Sequence, residues 1–250
     1  MTEFSSALIG RLWRSIATGT RSAASTDRRL PGMAPVFIAN FTSRSQWVAG
    51  RTWAYPNGGP TNRPDHKLDH LVPDASYSRT GRFLATRRGD GLWNTGLLTT
   101  EGSARDFRVR TGDVLVTRVR LPVHHGAWPA IWTWRDGGNE VDVFEYHPDN
   151  PHLLELSNHA QSPGRSYMSY LHRSIRPGGR VHLTVHFGAS SLTWWVNGVR
   201  AHADRTGVGS NWSAHLIVNL SVCDGVRHPA PDRSVSSLAF AVDQLTVYRP

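Results

Sequence analysis

Three of the chain's 19 acidic side chains fall within six residues, Glu140-Val141-Asp142-Val143-Phe144-Glu145. Acid and apolar residues alternate from Glu140 to Val143, and one further residue then precedes the last Glu. In a regular strand successive side chains point to opposite faces, so Glu140 and Asp142 share a face and Glu145 takes the other. A β-bulge at Val143-Phe144 inserts one residue and returns Glu145 to the first face, with Val141 and one of the bulge pair in the core. Three adjacent carboxylates repel, so at least one has its pKa raised. A protonated carboxyl beside an ionised one can hydrolyse a glycoside with retention. One carboxylate attacks the anomeric carbon and the other protonates the leaving oxygen, across about 5–5.5 Å. Glu140 and Glu145 fit that pair, and Asp142 between them can hold a proton or a hydrogen bond. Two other readings account for the acids alone. A solvated acidic edge strand discourages edge pairing, and an oxygen-rich cluster suits calcium.

The element before the acids bears on that choice. Trp128-Pro129-Ala130-Ile131-Trp132-Thr133-Trp134 is followed by a turn, Asp136-Gly137-Gly138-Asn139, so the acidic strand is predicted to form a hairpin with a strand carrying three Trp. Sugars present C–H faces that match flat aromatic rings, which makes Trp beside carboxylates suited to a saccharide cleft. Hairpin register decides which Trp faces the cleft.

From Val36 onward, short runs of Val, Ile, Leu, Thr and aromatics alternate with Gly, Pro, Asn and Asp clusters. Ten are predicted as strands: 36–41, 96–100, 113–121, 128–134, 140–146, 152–159, 181–187, 191–196, 215–222 and 237–248. No helical period of any length follows residue 35, so the pattern is that of an all-β sandwich or barrel. The first 35 residues form a separate extension. Leu8, Ile9, Leu12, Trp13 and Ile16 have helical spacing, which makes residues 5–20 a candidate amphipathic helix for docking on a partner or a membrane surface. Arg11 and Arg14 interrupt the apolar run and argue against a secretory signal. Residues 21–35 read as a linker.

Composition narrows the classes. A chain that is 39% hydrophobic is not wholly disordered. No run approaches the roughly 18 apolar residues of a membrane span. The single Cys, Cys223, excludes an intramolecular disulfide and a Cys-based zinc site. The formal charge of +9 comes almost wholly from Arg, Lys67 being the one lysine. These Arg residues are spread along the chain rather than clustered, which argues against a nucleic-acid partner.

The Trp128–Trp132 segment, the Gly-rich turn and the E-V-D-V-F-E run together resemble glycoside hydrolase family 16, the laminarinase and β-glucanase group with a bulged E-x-D-x-x-E motif. Other segments resemble the family in the same order: Asn94–Thr100, Val114–Pro122, Ser157–His159, Leu192–Gly198, His215–Val222 and Val242–Tyr248. The resemblance spans residues 36–250. It implies a concanavalin A-like β-jelly-roll sandwich of two antiparallel sheets with a concave cleft, acting as a monomeric, retaining, endo-acting enzyme on a polysaccharide. Glu140 corresponds to the nucleophile, Asp142 to the assisting carboxylate and Glu145 to the acid/base. Trp128, Trp132 and His159 become candidates for substrate binding, with His159 near the acid/base, and Trp93 and Asn94 are weaker cleft candidates. Arg135, shortly before Glu140 in sequence, is the candidate cation for an anionic sugar, which the ionised member of the Glu pair would otherwise repel. No cofactor is required. Asp243 matches a position near which some members hold a structural calcium, the simpler reading being a strand-end Asp. A polysaccharide substrate implies extracellular, surface or virion-associated action. A β-1,3- or mixed-linkage glucan is the first expectation. A galactanase, a transglycosylase and a non-catalytic binding module of the same fold are the alternatives. Pro56–Asp74 and Cys223-Asp224-Gly225 depart from the family pattern, and substrate choice rests on such loops.

Overall fold

The computed structural model describes residues 30–50, 55, 58–74, 80–136, 138–160 and 166–250. The expected helix over 5–20, most of the linker, Pro56, Asn57 and Gly137 lie outside the described residues.

Seventeen strands among the described residues make two sheets. The first runs β15 (Val199–Ala203), β14 (Leu192–Val196), β13 (Arg180–Phe187), β8 (Val114–Arg120), β17 (Ser237–Arg249), β4 (Arg82–Arg87), β5 (Trp93–Thr95), β3 (Asp69–Leu71). A further strand, β1 (Ala34–Ile38), also pairs with β17. The second runs β12 (Ser166–Leu171), β11 (Leu153–Asn158), β10 (Val141–Glu145), β9 (Ala127–Trp134), β16 (Ser213–Val222), β6 (Leu97–Thr99), β2 (Val48–Ala49). Here β7 (Arg108–Arg110) also pairs with β16. Pairing is antiparallel throughout except between β3 and β5, which run parallel. This is the expected jelly-roll sandwich, and each of the ten predicted strands is present.

Alternation along each strand divides core from outer face. On β16, Leu216, Val218 and Leu220 join the core between the sheets, while Asn219 and Ser221 face outward into a cleft. On β11, Leu154 and Leu156 point into the same core, leaving Glu155 and Ser157 on the cleft side. The first sheet supplies Leu115, Leu183, Trp194 and Phe240 from its inner face. A smaller apolar cluster of Tyr55, Leu71, Leu97 and Ile217 lies under Trp132 and Trp134.

The folded part begins before Val36. Leu30 is 6% exposed and packs with Val114 and Tyr248, Met33 adds to that cluster, and Ala34 pairs with Arg249. The boundary drawn at residue 35 therefore falls inside the domain. Apolar periodicity could not reveal this, because the two contacts are isolated among Pro and Gly.

Candidate active site

The bulge can be counted directly from the register. Asp142 pairs with Trp132 and Glu145 with Ala130, so three residues on β10 span two on β9. The extra residue turns Glu145 back to the face of Asp142. Val143 and Phe144 are both fully buried in the core, where one of the two had been expected. Glu140, Asp142 and Glu145 then line one cleft of about 300 Å³. Trp128, Ala130, Trp132 and Trp134 line it too, since β9 has period two and its other residues face inward.

Each carboxyl has distinct surroundings. The Trp128 indole N–H donates to Glu145 Oε1 at 2.9 Å. Burial pushes the Glu145 carboxyl above its ordinary range, and the charge of Glu155, its cross-strand partner, adds to this. The Trp128 hydrogen bond and Lys67 act the other way. Asp142 is raised well above the usual carboxylate range, chiefly by burial and then by Glu145 and Glu140. The Ser157 hydroxyl donates to Asp142 Oδ2, and His159 Nε2 lies 3.8 Å from the same oxygen. The Trp194 indole reaches across the core from β14 and donates to the main-chain carbonyl of Asp142 at 3.3 Å. That bond falls at the point where the β10 ladder is irregular.

Other candidates from the sequence fall in different places. His159 sits beside Asp142 rather than the acid/base. Trp93 is fully buried in the core under the Arg87 guanidinium, so it is not a cleft residue. Asn94 accepts a hydrogen bond from Arg88 Nη1 at 3.0 Å and does not line the cleft. Arg135 reaches Ser213 Oγ at 3.3 Å and is likewise outside it. Asp243 lies 3.1 Å from Arg180 Nε and 3.7 Å from Arg118 Nε. Two guanidiniums therefore face that carboxylate.

Several cleft residues were not anticipated. The lone lysine holds its ammonium 4.4 Å from the centre of the Trp128 ring. It is fixed by main-chain bonds that lace residues 66–68 to the end of β16, Leu68 N to Val222 O and Asp224 N to His66 O. Asn219 Oδ1 accepts from the Trp132 indole at 2.9 Å, and its amide donates to Ser221. Asn62 is buried at the cleft with no partner for its Oδ1. The Tyr55 hydroxyl donates to buried Asp69 at 3.0 Å. Period-two phasing within 215–222 marks Asn219 and Ser221 as outward-facing. Nothing periodic marks Asn62 or Lys67.

No family model and no curated protein matches the sequence. Solved structures do match. The laminarinase from Rhodothermus marinus has a TM-score of 0.67 at 20% identity, over 88% of this chain and 99% of that one. The laminarinase catalytic domain from Thermotoga maritima gives 0.68 at 18%, over 87% and 98%. The non-specific endo-β-1,3(4)-glucanase SCLam of glycoside hydrolase family 16 gives 0.67 at 14%, over 88% and 96%. The fold is that of the laminarinases. At these identities the likeness is one of architecture, and it extends over almost the whole length of each neighbour. Among the described residues, no helix is long and apolar enough to cross a membrane.

Proposed function

We propose that the chain is a retaining endo-glycosidase acting on a β-1,3- or mixed-linkage glucan. The observation that carries this is the set of three carboxyls on one face of a bulged strand, in a cleft walled by Trp128, Trp132 and Trp134. Glu145, whose carboxyl burial and Glu155 push upward, donates its proton to the leaving glycosidic oxygen. The Trp128 N–H on Oε1 leaves Oε2 to carry that proton. Asp142 keeps a proton of its own and sits between the two Glu side chains, which separates their roles. Glu140 attacks the anomeric carbon, and water activated by Glu145 then hydrolyses the glycosyl-enzyme. The aromatic wall takes the C–H faces of the sugar, and Asn62 and Asn219 offer polar atoms to its hydroxyls.

Azide rescue tests the assignment. Glu140→Ala, inactive alone, should regain turnover with azide and yield a glycosyl azide of inverted configuration. Glu145→Ala should give the azide with net retention, mainly on substrates with good leaving groups. Exchanged stereochemistry would exchange the two roles. Sugar binding without turnover by the unaltered chain would favour the binding-module alternative.

A further inference from the structure

A second pocket of about 300 Å³ adjoins the cleft and shares Trp128 and Glu145 with it. Three side chains on its wall come from separate elements. His147 lies just past β10, Glu155 on β11, and His228 in the loop before β17. One ligand atom from each lies within 4.8 Å of the other two. Both imidazoles are also held from behind. His228 Nδ1 is 2.9 Å from Asp149 Oδ2, which leaves Nε2 for another partner. His147 Nδ1 is 3.6 Å from Cys223 Sγ, and its Nε2 points towards Glu155 Oε2 at 4.0 Å. The two rings stack in parallel with centroids 3.5 Å apart.

A carboxylate behind a histidine is the arrangement that fixes tautomer and ring direction in metal sites. Two imidazoles and one carboxylate with an open position suit Zn²⁺ or a similar divalent transition metal rather than Ca²⁺ or Mg²⁺, which prefer all-oxygen shells. Zinc–nitrogen and zinc–oxygen bonds of about 2.0–2.2 Å in tetrahedral geometry put neighbouring ligand atoms about 3.3–3.5 Å apart. The atoms are close enough for one ion, and at least one imidazole must turn out of the parallel stack for both ring lone pairs to meet it. We propose that His147, Glu155 and His228 bind a Zn²⁺-class ion, with Asp149 as the orienting carboxylate and the open coordination position facing the pocket beside Glu145. This assignment does not depend on the glycosidase reading.

The test uses the full chain without an affinity tag, stripped with EDTA, and reads zinc directly by elemental analysis and calorimetry in the absence of any sugar. The expected result is one Zn²⁺ taken up per stripped chain, with Co²⁺ giving the visible absorption of a tetrahedral site and Ca²⁺ and Mg²⁺ not binding. Asp149→Asn should weaken zinc binding about 10–100-fold. His228→Ala and Glu155→Gln should weaken it more, and His172→Ala, which removes an exposed histidine, should leave it unchanged. Circular dichroism checks that each variant is folded, and His228→Gln replaces His228→Ala if the smaller side chain destabilises the loop. Absence of zinc binding, or binding unchanged in both Glu155→Gln and the folded His228 variant, overturns the proposal.

Discussion

Asp142 is the most buried of the three carboxyls at 4% exposure, and its surroundings favour the neutral form. Its folded-state pKa stands above that of the unfolded chain, so its contribution to stability is intact at acid pH and is lost as pH rises through the folded value. Holding the proton costs about 1.4 kcal/mol per pH unit between the unfolded and folded pKa values. Asp142→Asn keeps an acceptor for Ser157 and removes this penalty. The variant should match the wild type in thermal scans near pH 3 and exceed it at pH 7, by about 2–4 °C for each kcal/mol relieved. Its kcat should fall about tenfold or more, since it cannot exchange a proton with its neighbours. Equal Tm values at both pH values would show that Asp142 is not held neutral. The acids and the Trp residues were readable because they are contiguous and in phase. Lys67 and Asn62 were not, because main-chain bonds to a strand some 150 residues away bring them to the cleft. Trp93 was misplaced because adjacency to Asn94 said nothing about which face each occupies.

At the scale of the element, the bulge in β10 is held by more than its own ladder. The Trp194 indole, from the opposite sheet, donates to the Asp142 carbonyl at the residue where the irregular step begins. Trp194→Phe keeps most of the buried ring but removes that donor. Losing one buried hydrogen bond costs about 0.5–1.5 kcal/mol, so the midpoint of thermal unfolding should drop by a few degrees. Activity should fall further than stability explains when both are measured well below the transition, because the carboxyls on either side of the bulge lose their fixed direction. A variant with reduced Tm and unchanged kcat would limit Trp194 to packing. The three-acid spacing made this bulge legible, since no regular strand puts Glu140 and Glu145 on one face. Strands such as β4, RFLATR, β12, SYMSYL, and β15, VRAHA, escaped notice. Their apolar residues are split between the two faces, with Tyr167, Leu171 and Val199 exposed, so no inward-facing apolar period stands out.

For the whole molecule, charge and extent both lead to measurements. The +9 charge is dispersed, and among the described residues Lys67 is the cation that lines the cleft. Surface attraction is screened beyond about 10 Å at 0.1 M salt. Turnover of a neutral glucan such as laminarin should therefore change less than about twofold in kcat/KM between low and high salt. Faster turnover of a sulfated galactan, lost as salt rises, would replace the neutral-glucan reading. The folded boundary gives the second measurement. Two shortened chains, one starting at Leu30 and one at Val36, differ by Leu30, Met33 and the first two residues of β1. Burial of one Leu side chain contributes about 1.5–3 kcal/mol. The Val36 chain should accordingly unfold about 4–8 °C below the Leu30 chain. The lost contacts all involve β1, β8 and β17 in the first sheet, whereas the carboxyls and the Trp wall stand on β9 and β10 in the second. Both chains should therefore keep the same kcat at 25 °C. A Val36 chain with unchanged Tm would return the boundary to residue 35, and one with lost activity at full stability would show that the far edge of the first sheet reaches the cleft.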